Sequence, residues 1–297
     1  MNFSESLVLV RHSLIKDKSM DKADLHIHTT SSDGILTPEE VVEWAYRKGL
    51  HTIAITDHDT VDGIDRAIEE GKEHSICVVP GIELSCTYQN EEVHILGYFI
   101  DYKSNKLNTF TKTLKDAREN RNASIIEKLN KLDIDITLEE VKKASKNGTM
   151  GRPHIARVLI EKGIVDTVKG AFDIYLGKGK PAYVERYKVS IEDAIDLIHS
   201  IGGASIVAHP GLMKNKLVLD YVLQQNIDGM EVIHSKHTLE QTEKLRELAK
   251  KFNLIETAGS DCHGYLENEE PILGDFYINL KSVKLLKQKA DFYKKML

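Results

Sequence analysis

The feature that most restricts the fold of this chain is an alternation of short apolar runs with amphipathic helical segments. DLHIH at 24–28 and ICVVPGIEL at 76–84 have the length and composition of β-strands. The segment after the first run has a helix start signal, with Thr37 as N-cap, Pro38 at the first helical position and Glu40 completing a capping box. Because the same alternation resumes late in the chain, the sequence predicts βα units in a parallel sheet or barrel.

Residues of about 103–185 interrupt this alternation. They contain long helical patterns, among them FTKTLKDARENRNASIIEKLNKL and RPHIARVLIEKG, and no convincing strand. We therefore predict a helical insertion, called the cap below, between two strands of an α/β core. The expected domain organisation is an N-terminal extension at 1–20, the first part of the barrel at 21–102, the cap at 103–185, and the second part of the barrel with a C-terminal helix at 186–297.

Charge and composition argue against several classes of protein. The formal net charge of the 297 residues is −6, so a basic nucleic-acid footprint is absent and stable binding of duplex nucleic acid is not expected. The three cysteines are odd in number and form no CxxC pair, which argues against a disulfide framework and favours the cytoplasm. No apolar stretch approaches the roughly 20 residues of a membrane span, and a signal peptide is not indicated.

Histidines and carboxylates occur where five of the predicted strands end. Side chains alternate between the two faces of a strand, so His26 and His28 point the same way and can reach one ion. Comparable positions follow in ITDHD, VPGIE, VAHP and GSDCH, and His94 lies within or near a further strand. A single histidine of this kind is more often structural than functional, but the repetition at strand ends is improbable by chance. Because active sites of parallel α/β folds form at this end, the pattern predicts a metal site.

The types of ligand restrict the metal. A set of His, Asp and Glu without a cysteine ligand is typical of Mn²⁺, Fe²⁺, Zn²⁺ or Mg²⁺. More side chains are present than one ion takes, so we expect two or three divalent ions that share Glu83 as a bridge, with Mn²⁺ as the leading candidate. Such clusters activate a hydroxide ion for attack on phosphorus or on a carbonyl carbon.

Six motifs follow one another along the chain: DLHIHTTSSDG, ITDHDT, PGIELSC, VHILGY, VAHP and GSDCHG. Together they resemble the PHP (polymerase and histidinol phosphatase) family of metal-dependent phosphoesterases over about residues 22–265. The motifs GRPHIAR and GKGKPAYV are similar to the subgroup that removes phosphate from nucleoside 3′,5′-bisphosphates and shortens 5′-phosphorylated oligoribonucleotides. The resemblance implies an α/β fold, a distorted (β/α)₇ TIM-like barrel with an inserted helical cap domain, and a trinuclear metal site.

The resemblance also implies the metal ligands, and every position has the residue type that the family's motifs require. The implied ligands are His26, His28, Glu83 and Asp261 for the first ion, Glu83, His94 and His209 for the second, and Asp33, His58 and His263 for the third. Asp57 and Asp59 flank one of these histidines, and we expect them to orient it as hydrogen-bond acceptors.

Substrate contacts are less sharply defined by the sequence. Arg152 and His154 lie in GRPHIAR at a predicted helix N-terminus, where a guanidinium and backbone N–H groups suit a phosphate. A solvated helix start has the same pattern. Lys178 and Lys180 in LGKGKPAY suit a phosphate and a solvated loop equally well. These four residues are candidates for substrate binding, and Arg152 and His154 are also candidate catalytic residues.

Two further histidines follow the predicted strand GMEVI. His237 is a candidate to contact phosphate or to protonate the leaving oxygen, which makes it both a substrate-binding and a catalytic candidate. His234 in the same segment is expected to be structural.

These patterns predict a cytoplasmic enzyme that hydrolyses the phosphomonoester of nucleoside 3′,5′-bisphosphates by metal-activated hydroxide attack, with 5′→3′ exonuclease action on short 5′-phosphorylated RNA. Its partners would be small phosphorylated nucleotides or short oligoribonucleotides. A histidinol-phosphate-type phosphatase of the same family would keep the metals with other substrate contacts, and the GRPHIAR motif argues against it. A non-catalytic metal-binding regulatory module is the other alternative, against which the full ligand set argues.

Overall fold

The computed structural model of the protein describes residues 22–89, 91–145, 150–267 and 269–297. The N-terminal extension predicted at 1–20 lies outside these residues. Strands β1 to β10 are Lys22–Ile27, Thr52–Ile55, Cys77–Tyr88, Glu91–Tyr98, Ala204–Val207, Gly229–His234, Ile255–Gly259, Leu266–Glu267, Glu270–Pro271 and Ile278–Asn279.

Most of the helices begin at a residue whose side chain caps the helix. Helices α1 to α10 are Pro38–Arg47, Ile64–His74, Asn105–Asn130, Leu138–Ala144, Arg152–Glu161, Val168–Ala171, Ile191–Ser200, Lys216–Val222, Leu239–Lys251 and Leu280–Lys294. The predicted capping box of α1 is present, because the Glu40 N–H donates to Thr37 Oγ1 over 3.2 Å and the Thr37 N–H donates to Glu40 Oε2 over 2.7 Å. None of the helices in the described ranges combines the length and apolar character needed to cross a bilayer.

Eight strands form one sheet in the order β10-β1-β2-β3-β4-β5-β6-β7. The sheet curves into a nearly closed barrel, since the His28 N–H donates to the Cys262 carbonyl and the Asp261 N–H to the His26 carbonyl, each over 2.9 Å. These two bonds join β1 to the segment that follows β7. The predicted distorted TIM-like barrel is therefore confirmed.

The barrel departs from the all-parallel arrangement at β4, which is antiparallel to both β3 and β5, and at β10, which is antiparallel to β1. The sequence analysis expected strands connected by helices, but β4 follows β3 so closely that the chain has no room for a crossover helix. A short connection of this kind pairs strands antiparallel. This hairpin is the main distortion of the barrel.

The predicted alternation along β1 decides which side chains face the barrel interior. Ile27 packs outward in one apolar cluster with Val41 and Val42 of α1, and Leu25 belongs to another cluster with Leu286 of α10. All five of these side chains are buried to within 1% of complete burial. The intervening histidines consequently point toward the middle of the barrel.

The described residues from Asn105 to Leu176 are helical or looped and include no strand. Most of their buried apolar side chains form a cluster of their own, in which Ile125 and Leu129 of α3 meet Ile155 and Leu159 of α5, while Leu107 and Leu114 of α3 pack with the barrel. Because this cluster is separate from those of the barrel, the cap is a second packed layer that lies beside the carboxyl ends of the strands. The exact limits of the cap, at 103 and 185, stay a prediction.

Candidate metal centre

Glu83, a fully buried residue of β3, lies in the middle of the histidine cluster. Its Oε2 is 3.2 Å from Nε2 of both His26 and His28. Its Oε1 is 2.8 Å from His94 Nδ1 and 3.1 Å from His209 Nε2. Oε2 is also 3.1 Å from His58 Nδ1. The two carboxylate oxygens therefore face two different sets of imidazoles, as a bridging ligand between two cations would.

Asp261 forms a second focus beside Glu83. Its Oδ1 is 3.1 Å from His28 Nε2, and its Oδ2 is 3.4 Å from Nε2 of His234. His234 is fully buried at the end of β6, and His26, His234 and Asp261 could together hold one ion. The sequence analysis expected His234 to be structural, so the structure adds a possible ligand. The sequence contained an indication of this role, because His234, like other ligands of the cluster, lies at the end of a strand of the barrel.

A third group forms on the side of the cluster that faces the cap. His263 Nε2 lies 3.4 Å from Asp33 Oδ1, and His28, Asp33, His58 and His263 bring one ligand atom each within 4.8 Å of one another. The resemblance divides the ligands among three ions. In the structure His28 lies between two of these groups, so the distances alone do not give each histidine a single ion.

The atoms that face the centre of the cluster fit a set of bound cations. Several of them are buried without a hydrogen-bond partner among the described residues: His26 Nε2, His28 Nδ1 and Nε2, His58 Nδ1, Glu83 Oε2 and His234 Nε2. Buried polar atoms are normally paired, so this concentration of unpaired donors and acceptors calls for a ligand. Imidazole and carboxylate groups suit borderline or hard divalent ions.

The charges of the cluster support the same conclusion. Burial raises the pKa of the Glu83 carboxyl, but the charges of His58, His94 and His26 outweigh burial and hold this pKa well below its ordinary value. In the protein without metal, burial lowers the pKa of His28, yet the neighbouring carboxylates of Asp261 and Glu83 raise it to about 10. In the metal-free protein, protons on the histidines therefore balance the negative charge of the carboxylates. Bound cations would take over that role, so metal ions and protons compete for the site.

Glu231, which the sequence analysis missed, supports two of the histidines from behind. It is fully buried on β6, its Oε1 lies 3.0 Å from His26 Nδ1, and its Oε2 accepts the His209 N–H over 2.7 Å. A carboxylate on the outer nitrogen of a ligating histidine fixes the ring orientation and the tautomer. The sequence feature that could have identified Glu231 is a carboxylate within the apolar run GMEVI.

Asp57 and Asp59 are the predicted supporting acceptors, and neither bonds to a histidine of the cluster in the described contacts. Asp57 is buried and accepts the Thr29 N–H over 2.7 Å and the Thr29 hydroxyl over 2.8 Å. It therefore braces the loop that leads to Asp33. Asp59 accepts the Ser85 N–H over 2.9 Å and pairs with Arg118 of the cap. These two carboxylates position loops rather than imidazole rings.

Left-handed backbone conformations occur at ligands of the cluster. Asp261 has φ 54° and His209 has φ 30°, although neither is glycine. Such conformations cost on the order of 1–3 kcal/mol each and persist only where the surrounding structure holds them. Here the His209 N–H bond to Glu231 and the Asp261 N–H bond to β1 hold the backbone in place.

A pocket rich in arginine adjoins the cluster on the cap side. Asp33 and His58 form one end of it, and its wall includes Arg118, Arg121, Arg152 and Arg186. Among the described residues, two carboxylates of the pocket approach these guanidinium groups: Asp59 pairs with Arg118 and Glu92 with Arg186. The pocket therefore carries more positive than negative charge, and it suits an anion.

The arginines of this pocket differ in how they are held. Arg121 donates to the Val184 carbonyl over 2.9 Å, and burial together with Arg152 and Arg186 lowers its pKa to about 10. Arg152 lies with its guanidinium carbon 5.1 Å from the centre of the Phe172 ring, and its Nη2 is 4.0 Å from Glu92 Oε2. The sequence analysis had singled out Arg152 and missed the other three. They occur at helix and loop positions where a solvated arginine is ordinary.

The other predicted substrate contacts are placed differently. His154 is buried, and its Nδ1 accepts the Gly151 N–H over 3.0 Å, so it caps the start of α5. Lys178 and Lys180 are exposed and do not belong to the described lining of the pocket. His237 Nε2 accepts the Gly211 N–H and its Nδ1 donates to the Val232 carbonyl, each over 3.1 Å. In this geometry neither nitrogen of His237 is available to a leaving group.

Known proteins agree with this combination of barrel and metal cluster. A model of the PHP domain family matches residues 24–205. This chain belongs to the PHP domain family. The resemblance inferred from the six motifs is thereby confirmed, and the structure shows that these motifs meet in one cluster.

Curated relatives are similar over most of their length. A 5′-3′ exoribonuclease of Haemophilus influenzae is 38% identical over 255 residues, which are 83% of this chain and 92% of that protein. A 3′,5′-nucleoside bisphosphate phosphatase of Chromobacterium violaceum is 30% identical over 279 residues, 89% of this chain and 98% of that protein. Among solved structures, a presumed metal-dependent phosphoesterase of Bifidobacterium adolescentis has a TM-score of 0.82 and 31% identity, covering 90% of this chain and 96% of that one.

Proposed function

We propose that this PHP domain protein is a metal-dependent phosphoesterase that removes the 3′-phosphate of nucleoside 3′,5′-bisphosphates and releases the first nucleotide of short 5′-phosphorylated RNAs. The observation that carries the proposal is the direct junction of the metal cluster with a pocket of four arginines. The named activities of the Haemophilus influenzae and Chromobacterium violaceum relatives support the same pair of substrates.

The nine ligands implied by the family would hold two or three divalent ions, with Glu83 as the bridge and His234 as an additional ligand. Mn²⁺ is the proposed ion, because the ligands are imidazoles and carboxylates without thiolate. Divalent ions in such a cluster lower the pKa of water and neutralise the charge that develops on phosphate oxygens.

Both proposed substrates present the same bond to this cluster. Water adds to phosphorus, the bond between phosphorus and O3′ breaks, and O3′ leaves with a proton. With a bisphosphate the products are inorganic phosphate and a nucleoside 5′-phosphate; with RNA they are a nucleoside 5′-phosphate and a shortened chain with a new 5′-phosphate. The 5′-phosphate lies on the opposite side of the nucleoside from the scissile bond, so a single pocket serves both reactions.

The arginine pocket would bind that 5′-phosphate. Arg121 and Arg152 are the better candidates, because Arg118 and Arg186 form close ion pairs with carboxylates, whereas Arg152 approaches Glu92 only at 4.0 Å. A guanidinium binds phosphate through two parallel N–H donors, which fixes the position of the nucleotide as well as its charge. Phe172 and Tyr187 line the same pocket and offer apolar faces to a sugar or base.

The decisive experiment compares three substrates with the Mn²⁺-loaded protein: a nucleoside 3′,5′-bisphosphate, histidinol phosphate and a short 5′-phosphorylated RNA. We expect turnover of the first and third. Turnover of histidinol phosphate alone would establish the alternative phosphatase instead. A protein that binds metal and hydrolyses none of the three would be a non-catalytic metal-binding module.

An Arg152→Ala variant tests the pocket. It should raise KM for the bisphosphate by about tenfold or more, since one charge-assisted contact is worth roughly 1.5–3 kcal/mol. An unchanged kcat/KM would remove Arg152 from the substrate site.

The cytoplasmic location favoured by three unpaired cysteines stays a prediction.

A further inference from the structure

A groove along α3 opens at Asp59, the residue that follows the candidate metal ligand His58 in the chain. Asp59 and Arg118 line both the pocket and the groove, so the two are continuous. Beyond Arg118 the groove is lined from α3 by Lys115, Lys112 and Thr111. None of these three residues belongs to the metal cluster or to the pocket described above.

The groove follows one face of α3. Lys112, Lys115 and Arg118 are spaced by three residues. Residues at this spacing are neighbours on a helix surface. At a rise of 1.5 Å per residue, Lys112 lies about 9 Å along the helix axis from Arg118. The cationic side chains therefore form a row that leads away from the metal cluster.

The two lysines are free to bind an anion. In the described part of the chain neither Lys112 nor Lys115 has an ion-pair partner, whereas Arg118 is paired with Asp59. One more carboxylate, that of Asp62, lines the groove. The row therefore keeps a net positive charge, although the whole chain has a net charge of −6.

We propose that this groove binds the phosphodiester backbone of single-stranded RNA downstream of the bond that is cleaved, through Lys112 and Lys115. The inference rests on the proposed function and adds the path of the longer substrate. The described lining of the groove contains two lysines, an arginine, an asparagine, hydroxyls and carboxylates and no aromatic ring. Contacts of this kind neutralise phosphates without reading or stacking the bases, so binding would be independent of the downstream sequence.

The test uses a double variant, Lys112→Ala with Lys115→Ala, in the full chain loaded with Mn²⁺. Its matched control is Lys281→Ala with Lys284→Ala, which removes two exposed lysines at the same spacing from α10. Both variants and the wild type are assayed on a nucleoside 3′,5′-bisphosphate, which has no downstream chain, and on a 5′-phosphorylated oligoribonucleotide of several nucleotides.

We expect the groove variant to lose kcat/KM on the oligoribonucleotide only, and the control variant to match the wild type on both substrates. Each phosphate contact on a single strand contributes a slope of about 0.7 to the dependence of log affinity on log salt, so two lysines contribute about 1.4. Between 50 and 200 mM salt the wild type should therefore lose about sevenfold more kcat/KM on the oligoribonucleotide than the groove variant.

Three outcomes would overturn the inference. Equal kcat/KM of the groove variant and the wild type on both substrates would show that RNA takes another path. A loss of the same size on the bisphosphate, or in the control variant, would show an effect on the enzyme as a whole. If the wild type hydrolyses the bisphosphate but no RNA, the inference is refuted and the phosphatase activity is retained. If it hydrolyses neither substrate, the proposed function itself is refuted.

Discussion

Replacing Glu231 by glutamine tests the role of the carboxylate behind the metal cluster. Glu231 contacts His26 Nδ1 over 3.0 Å with one oxygen and the His209 N–H over 2.7 Å with the other. A glutamine has one acceptor oxygen and keeps the size of the side chain, so one of these two contacts is lost together with the negative charge. Both histidines would remain in place and be less firmly oriented toward the ions.

The expected loss can be estimated from these contacts. Hydrogen bonds that involve a charged group contribute about 1.5–3 kcal/mol, and changes to such supporting groups typically lower metal affinity by 10–100-fold. We therefore expect Glu231→Gln to bind Mn²⁺ roughly 10–100-fold more weakly. The metal-free protein should lose little stability, because the substitution also removes a buried charge.

The assay is a competition between the protein and a chelator of known affinity, followed by measurement of bound metal. Glu256→Gln is the control, since Glu256 lies on the adjacent strand β7 and pairs with Arg246 away from the cluster. An affinity and stoichiometry equal to those of the wild type would refute the supporting role of Glu231. A thermal unfolding scan of the metal-free variant separates a metal effect from misfolding.

Three further results are expected. Metal uptake at pH 8 should release up to about two protons, because the pKa of His28 and of His94 is raised to about 10 in the metal-free protein. Metal affinity should therefore rise with pH up to about that value. Calorimetry in buffers of different ionisation enthalpy measures the release, and no release would mean that the histidines were already neutral. Removal of metal by a chelator should abolish turnover of the bisphosphate and lower Tm, and readdition of Mn²⁺ should restore both. Activity that survives when no bound metal is detectable would contradict the mechanism. Arg157→Ala should lower the metal content by up to one ion. Arg157 donates to the Asp33 carbonyl over 3.2 Å and bonds to Tyr265, so it connects the cap to the loop that carries the ligand Asp33. An unchanged metal stoichiometry, measured by elemental analysis, would exclude that connection.

Periodicity in the sequence predicted βα units in a parallel sheet or barrel and a metal site at the strand ends, and the resemblance to the PHP family then implied the distorted barrel and its ligand set. The alternation of strands and helices is a local pattern, and the side-chain period of two in DLHIH directs His26 and His28 to one face whatever the rest of the chain does. Ligands at the ends of parallel strands meet because those ends share one edge of the sheet. The motif order then identified the family.

Other features depended on contacts between distant segments. Glu231 and His234 acquire their roles only when β6 lies beside β5 and β7, which places them against His26, His209 and Asp261. The hydrogen bonds that occupy both ring nitrogens of His237 likewise come from two separate segments, so its sequence context alone could not show that it braces the backbone.

The arginine pocket shows the same limit most clearly. Arg118 and Arg121 are two of many charged residues on α3, and Arg186 lies in a loop some sixty positions later. In a sequence, each is indistinguishable from a solvated surface arginine. Only the packing of the cap against the barrel brings them to the edge of the metal cluster, because their charges converge in space and not along the chain. The sequence thus determined the chemistry of the centre, and the tertiary structure decided which anion-binding groups surround it.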